Sequence, residues 1–156
     1  MAKNKIVIIG GSGSIGSAIA KEVINEGFEV AIIGRNYFAL EKVSKELNCS
    51  FIKADVTNKD ELTEAIKFCG QDVFGLVYCV GSIDLKPLSL AYEQDYIDSF
   101  KINTLGAIFA IKAMKDVLLQ NNGSILLFSS IAAKQGFKNH TIISPSKGAI
   151  EGLTVS

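Results

Sequence analysis

The stretch that decides the fold runs from Ile8 to Ala20, "IIGGSGSIGSAIA". A short apolar run, Lys5 to Ile9 "KIVII", leads into it, and a helical pattern with Ile15, Ala18, Ile19 and Val23 on one face leads out. Gly11, Gly13 and Gly16 form a GxGxxG at the junction. Strand before and helix after are the context that gives this spacing meaning. The glycines let the backbone pass close to a pyrophosphate, while the free N–H groups of the helix N-terminus point at its charge. Gly10, Gly11, Ser12, Gly13, Ser14, Ile15 and Gly16 are therefore candidate dinucleotide contacts, the alternative being a tight turn with a purely structural role. No GK[ST] follows the glycines, which excludes a P-loop.

Outward from the turn, short apolar runs alternate with amphipathic segments: "KIVII", "EVAII", "SFIKA", "FGLVYCV" and "SILLF". Such βαβ repetition predicts an α/β fold, a Rossmann-type doubly wound parallel sheet of about five strands. Most runs are continuous rather than alternating, as expected of strands covered by helices on both faces. "SFIKAD" differs, because Lys53 interrupts it in the manner of a protected edge strand. Leu62, Ala65, Ile66 and Cys69 form a second sheet-facing stripe.

A helix predicted from about Tyr92 to Gln120 carries Phe100, Ile102, Leu105, Ile108, Phe109, Ile111, Met114 and Leu118 over an arc too wide for one sheet-facing stripe. It is expected to be buried all round, either in a deep core or partly against a second subunit, so that a homo-oligomer forms through residues 92–120.

The 156 residues fit a single domain over 1–156, large enough to bury roughly 68–70% of the unfolded chain's surface without staples. Sixteen basic residues balance sixteen acidic ones with no blocks of either sign, which argues against nucleic-acid or anionic-membrane partners and for a small ligand. The N-terminal segment holds two lysines and an apolar run of only Ile6 to Ile9, too short for a signal peptide or a membrane span, so a cytoplasmic location is expected. Cys49, Cys69 and Cys79 are odd in number and widely spaced, and His140 is the only histidine. Reduced thiols are expected, with no disulfide and no metal site.

Where the second strand ends, an NAD site has an acidic residue for the ribose hydroxyls, but this chain has Gly34 and Arg35. A guanidinium there forms charge-assisted bonds to a 2′-phosphate, each worth about 1.5–3 kcal/mol. NADP(H) is accordingly favoured over NAD(H), and the missing acid also argues against a methyltransferase.

Read in order, the turn, "ADVT", "YCVG", "KINTLGAIFAIKA", "SILLFSS" and "SPSKGAIEGLT" resemble the short-chain dehydrogenase/reductase family along the whole chain. The family pattern TGxxxGxG falls on Ile9, Gly10, Ser14 and Gly16, so its Thr and middle Gly are replaced. The resemblance implies that Asp55 and Val56 contact adenine, and that "YCVG" stands for the family's NNAG, keeping Gly81 and replacing an Asn by Cys79. It further implies an active site in which Asn103 holds a water, Ser130 (rather than Ser129) polarises a substrate carbonyl, and Lys147 binds the nicotinamide ribose. The fourth member, the Tyr of YxxxK, is absent: four residues before Lys147, and thirteen after Ser130, stands Ile143. His140 is the nearby alternative proton donor.

Implied by the resemblance is hydride transfer between a nicotinamide and a small carbonyl or alcohol substrate, weakened by Ile143. The alternative is a non-catalytic member or fragment that binds the dinucleotide or a protein partner. Ser144 is expected to cap the last helix, with Pro145 at its first position. Members of the family continue beyond the point matching Ser156, so C-terminal strands and a substrate-binding region are expected to be missing. In the strand order 3-2-1-4-5, "SILLF" would then be an unguarded edge.

Overall fold

The computed structural model describes residues 5–156; Lys3, one of the two N-terminal lysines, lies outside that range. Five parallel strands, β1 (Lys5–Ile9), β2 (Glu29–Gly34), β3 (Ser50–Lys53), β4 (Val73–Tyr78) and β5 (Ser124–Leu127), form one sheet in the order β3-β2-β1-β4-β5. Helices α1 (Ser14–Asn25) and α2 (Tyr37–Leu47) cover one face, and α3 (Lys59–Lys67), α5 (Gly106–Gln120) and α6 (Ile143–Val155) contribute to the other; α4 (Glu93–Phe100) precedes α5. This is the Rossmann-type arrangement that the alternating pattern predicts.

Strand residues alternate between two cores. Val7, Ile9, Ala31, Ile33 and Leu76 pack with Leu62, Ala65 and Ile66 of α3 and Ala107, Ala110, Met114 and Leu118 of α5. Ile8, Val30, Ile32 and Val77 pack with Ala20 of α1 and Leu40 of α2. Complete burial of an Ile contributes about 1.5–3 kcal/mol, so β1 and β2, with Ile8, Ile9, Ile32 and Ile33 all fully buried, are the anchor of the sheet. β3 is an edge, with Lys53 exposed, and β5 is the other, with Ile125 and Leu126 exposed.

Three local expectations are corrected. On α1 it is Gly16 and Ala20 that are buried, whereas Ile15 and Ala18 face outward, because the helix is drawn tight against the glycine turn and its contact face is rotated accordingly. The Tyr92–Gln120 stretch is not one regular helix: α4 and α5 are separated by a π-turn, Lys101–Leu105. Nor is it buried all round, since Phe100 is 38% exposed and Leu105 and Ile108 are half-buried. Finally, α6 starts at Ile143 with Ile142 in the capping position, and Ser144 makes no cap. Pro145 is thus the third helical residue, where its missing N–H is one of the donors a helix start leaves unpaired in any case.

Candidate functional site

β1 delivers the chain into the turn at Gly10, whose φ of +86° belongs to the left-handed region and whose N–H donates to the Ile33 carbonyl at 2.7 Å. A side chain at Gly16 would collide with the Gly10 carbonyl and the Gly11 backbone, and one at Gly11 with Ile32. Gly11 and Gly16 are therefore packing glycines, which lets α1 start directly above the strand. Gly13 differs, since a Cβ there meets only the Gly10 carbonyl, at 3.4 Å, and faces open space. No side chain caps α1, so its first amides remain free to meet an anion.

The turn forms one wall of a cleft of about 380 Å³ along the C-terminal ends of the strands. Gly10, Ser12, Gly13, Arg35, Asp55, Val56 and Gly81, all anticipated from sequence, line it. Gly11 and Gly16 lie beneath it, and Ser14 and Ile15 stand exposed in the first turn of α1, outside its lining. Sequence reading missed Gly34, Asn36, Ala54, Thr57, Cys79, Val80, Ser82 and Ile102 as lining residues. For Asn36 and Thr57 a signal was available. Asn36 accepts from Ala39 N–H as the cap of α2, directly after Arg35. Thr57 donates both its N–H and its hydroxyl to Asp55, each at 2.8 Å, the turn that "ADVT" spells.

Those two bonds, helped by the nearby Arg35 guanidinium, hold the Asp55 carboxyl below its usual range. Behind the lining residues Gly81 and Ser82, and themselves outside the lining, stand Asn103 and Lys147; Asn103 is fully buried within the π-turn. Its Oδ1 accepts from Ser82 N–H at 3.3 Å, and its Nδ2 donates to the Ser99 carbonyl at 2.9 Å. Lys147 Nζ donates to the Phe128 carbonyl at 2.9 Å. Both converge on Gly81, where a Cβ would lie 3.1 Å from Asn103 Oδ1 and 3.4 Å from Lys147 Nζ. Burial lowers the Lys147 pKa from the ordinary lysine value, and it pushes the Cys79 thiol up to about 11, against the pull of Lys147.

Around this pair the structure separates the two serines. Ser129 Oγ shares its proton between the Lys147 carbonyl and Glu151 of α6, whereas Ser130 accepts from Ala132 N–H at the start of a short 3-10 turn, Ile131–Ala133. No hydrogen bond among the described residues joins Ser130 to Asn103 or Lys147. Ile143 is 3% exposed and offers only its carbonyl, which accepts from Ser146 Oγ. His140 Nδ1 lies 2.8 Å from the Lys138 carbonyl, with its ring tilted against Phe137. Among the described residues no cluster suits a metal ion, the three cysteines are free, and no helix is long and apolar enough to cross a membrane.

Sheet order, glycine turn and cleft define a Rossmann-type α/β protein with a cleft at the strand C-termini. A profile described as short chain dehydrogenase matches residues 4–156. An uncharacterised oxidoreductase from Staphylococcus aureus strain MW2 is 33% identical over 159 aligned positions, covering 97% of this chain and 69% of that protein. A hydroxynaphthalene reductase-like protein from Metarhizium robertsii is 34% identical over 168 positions and is covered to 61%. Solved structures similar in fold include a short-chain type dehydrogenase/reductase from Mycobacterium ulcerans, with a TM-score of 0.90 at 24% identity, covering 96% of this chain and 59% of that one. An actinorhodin polyketide ketoreductase solved with NADPH gives a TM-score of 0.91 at 22% identity, covering 97% and 62%. This chain belongs to the short-chain dehydrogenase family, and it spans 59–69% of the length of these relatives.

Proposed function

We propose that this chain is the cofactor-binding part of an NADP(H)-dependent oxidoreductase acting on a small carbonyl or alcohol substrate, with turnover limited by Ile143. The observation that carries the reading is the cleft itself. At one end Gly34 leaves no side chain where an NAD site has its acid, and Arg35 and Asn36 line the space beside it. In the middle, the open side of Gly13 and the uncapped start of α1 suit a pyrophosphate. Asp55 and Val56 are assigned to the adenine, Gly81 to the nicotinamide side, and Lys147 to the ribose next to it.

When bound, the cofactor would give a hydride to a carbonyl or take one from an alcohol; this chain's residues orient the partners and hold protons. Lys147 is the cation of the site, with its ammonium fixed on the Phe128 carbonyl. Asn103 orders the Gly81–Ser82 backbone beside it, and Ser130 is assigned to polarising the substrate oxygen. A tyrosine four residues before Lys147 would deliver the proton, and the buried Ile143 has none to give. Absence of a positioned general acid costs about 10²- to 10⁴-fold in rate.

The missing donor also favours a second reading, a dinucleotide-binding member without catalysis of its own. Calorimetric titration with NADPH and NADH, paired with turnover over a carbonyl panel, tests both. NADPH binding at least about tenfold tighter than NADH, with the ratio lost in Arg35→Ala, is expected, since one charge-assisted bond is worth about 1.5–3 kcal/mol. Equal affinities overturn the cofactor choice, and no binding of either overturns the site. Binding without any turnover decides for the second reading. A single cytoplasmic domain and self-association through the half-covered 92–120 stretch complete the proposal.

A further inference from the structure

The π-turn between α4 and α5 leaves a backbone acceptor to be satisfied. Gly106 N–H reaches back five residues to the Lys101 carbonyl rather than four to that of Ile102. The Ile102 carbonyl instead accepts from the hydroxyl of Tyr78, at the end of β4, at 2.6 Å. We propose that Tyr78 is a positioning residue: its hydroxyl stabilises the widened turn and thereby fixes Asn103 against Ser82 and Gly81, on which the Lys147 ammonium also converges.

Three observations carry this. Tyr78 is 2% exposed, so its hydroxyl has no water to turn to, and burial next to the Asp55 carboxylate raises its pKa and keeps it a donor. A side chain on Gly106 would sit on the Tyr78 oxygen, so the helix admits the phenol only because residue 106 is glycine. The turn it holds presents two consecutive buried side chains to the site: Asn103 bonds the Ser82 backbone, and Thr104 donates to the Ser146 carbonyl, next to Lys147. A regular α-helical turn would carry one residue fewer per cycle and rotate Asn103 and Thr104 out of register with these partners. Tyr78 stands first in "YCVG", so the change from the NNAG pattern at this position brings its own hydroxyl bond.

The functional weight of this inference rests on the cofactor-site reading, but its test does not. Tyr78→Phe keeps the ring and removes the donor. In ¹⁵N-labelled full chain, it is expected to shift the Asn103 side-chain amide resonances. Hydrogen exchange of the Gly106 and Ala107 amides should speed up by about two- to tenfold, the worth of one net hydrogen bond, with β2 and α3 unchanged. NADPH affinity should fall several-fold. An unmoved Asn103 signal, or faster exchange spread evenly over the molecule, would overturn the proposal in favour of a merely satisfied buried phenol. Should Tyr78→Phe fail to fold, Gly106→Ala, whose methyl displaces the hydroxyl, must move the same Asn103 signal, and an unmoved signal there overturns the proposal as well. A wild-type chain that binds no NADPH removes the cofactor reading and leaves the resonance result to decide the role of Tyr78.

Discussion

At the scale of single residues, Ile143 is the position on which activity turns. It is buried, heads α6, and sits four residues from a lysine whose ammonium is fixed on the Phe128 carbonyl beside Gly81. Ile143→Tyr is expected to raise NADPH-dependent turnover of small carbonyls by about 10²-fold or more, the lower bound for a positioned general acid. A larger side chain in a packed place costs about 1–3 kcal/mol, so the melting temperature should fall slightly while the rate rises. A variant that binds NADPH with wild-type affinity yet stays at background turnover would show that Ser130 and Lys147 do not form a competent site. His140 was legible as an alternative donor only by its proximity in sequence; its Nδ1 is engaged with the Lys138 carbonyl, a local contact that spacing does not reveal.

At the scale of elements, the glycine turn divides its labour in a way that a motif cannot express. Gly16 is closed off by the backbone of Gly10 and Gly11, while Gly13 opens onto the cleft with a φ of −77° that any residue tolerates. Gly16→Ala is therefore expected to destabilise the fold by about 1–3 kcal/mol or more. Gly13→Ala should leave the denaturation midpoint almost unchanged and weaken NADPH binding by placing a methyl against the diphosphate. Chemical denaturation and calorimetry on the two variants check the pair; equal losses of stability would refute the division. The same scale explains the misreading of residues 92–120. Apolar periodicity marks the stretch as helical, but a π-turn depends on an outside donor, Tyr78, more than twenty residues earlier in the chain.

At the scale of the whole molecule, the sheet has unequal edges. β3 is guarded by exposed Lys53, whereas β5 offers Ile125 at 43% and Leu126 at 47% exposure with no charge or proline in the strand. Such an edge pairs with a further strand wherever one is supplied, by the same polypeptide or by another. Residues 1–156 by themselves are expected to associate through this edge, in addition to contact through the 92–120 stretch, with rising concentration in sedimentation, and Leu126→Lys should reduce that association while leaving NADPH affinity intact, because β5 does not line the cleft. Association unchanged by that substitution would leave the half-buried Phe100, Leu105 and Ile108 of the 92–120 stretch as the sole contact.

The sequence alone determined the sheet. Runs of apolar residues of strand length, alternating with helical stripes and opened by GxGxxG, predict a parallel sheet covered on both faces, and Gly10, Ser12, Gly13 and Arg35 of the cleft lining followed from that pattern and spacing, whereas Asp55, Val56 and Gly81 came with the family resemblance. What only the tertiary structure decided depends on atoms distant along the chain. It distinguished packing glycines from the open one, moved the start of α6 to Ile143, and widened the helix at Asn103. It also brought Asn103 and Lys147 onto Gly81 from three separate segments. The physical reason is that periodicity reports which face of an element is buried, whereas a turn's register and a side chain's partner are set by steric exclusion and hydrogen bonds that exist only once the elements have packed.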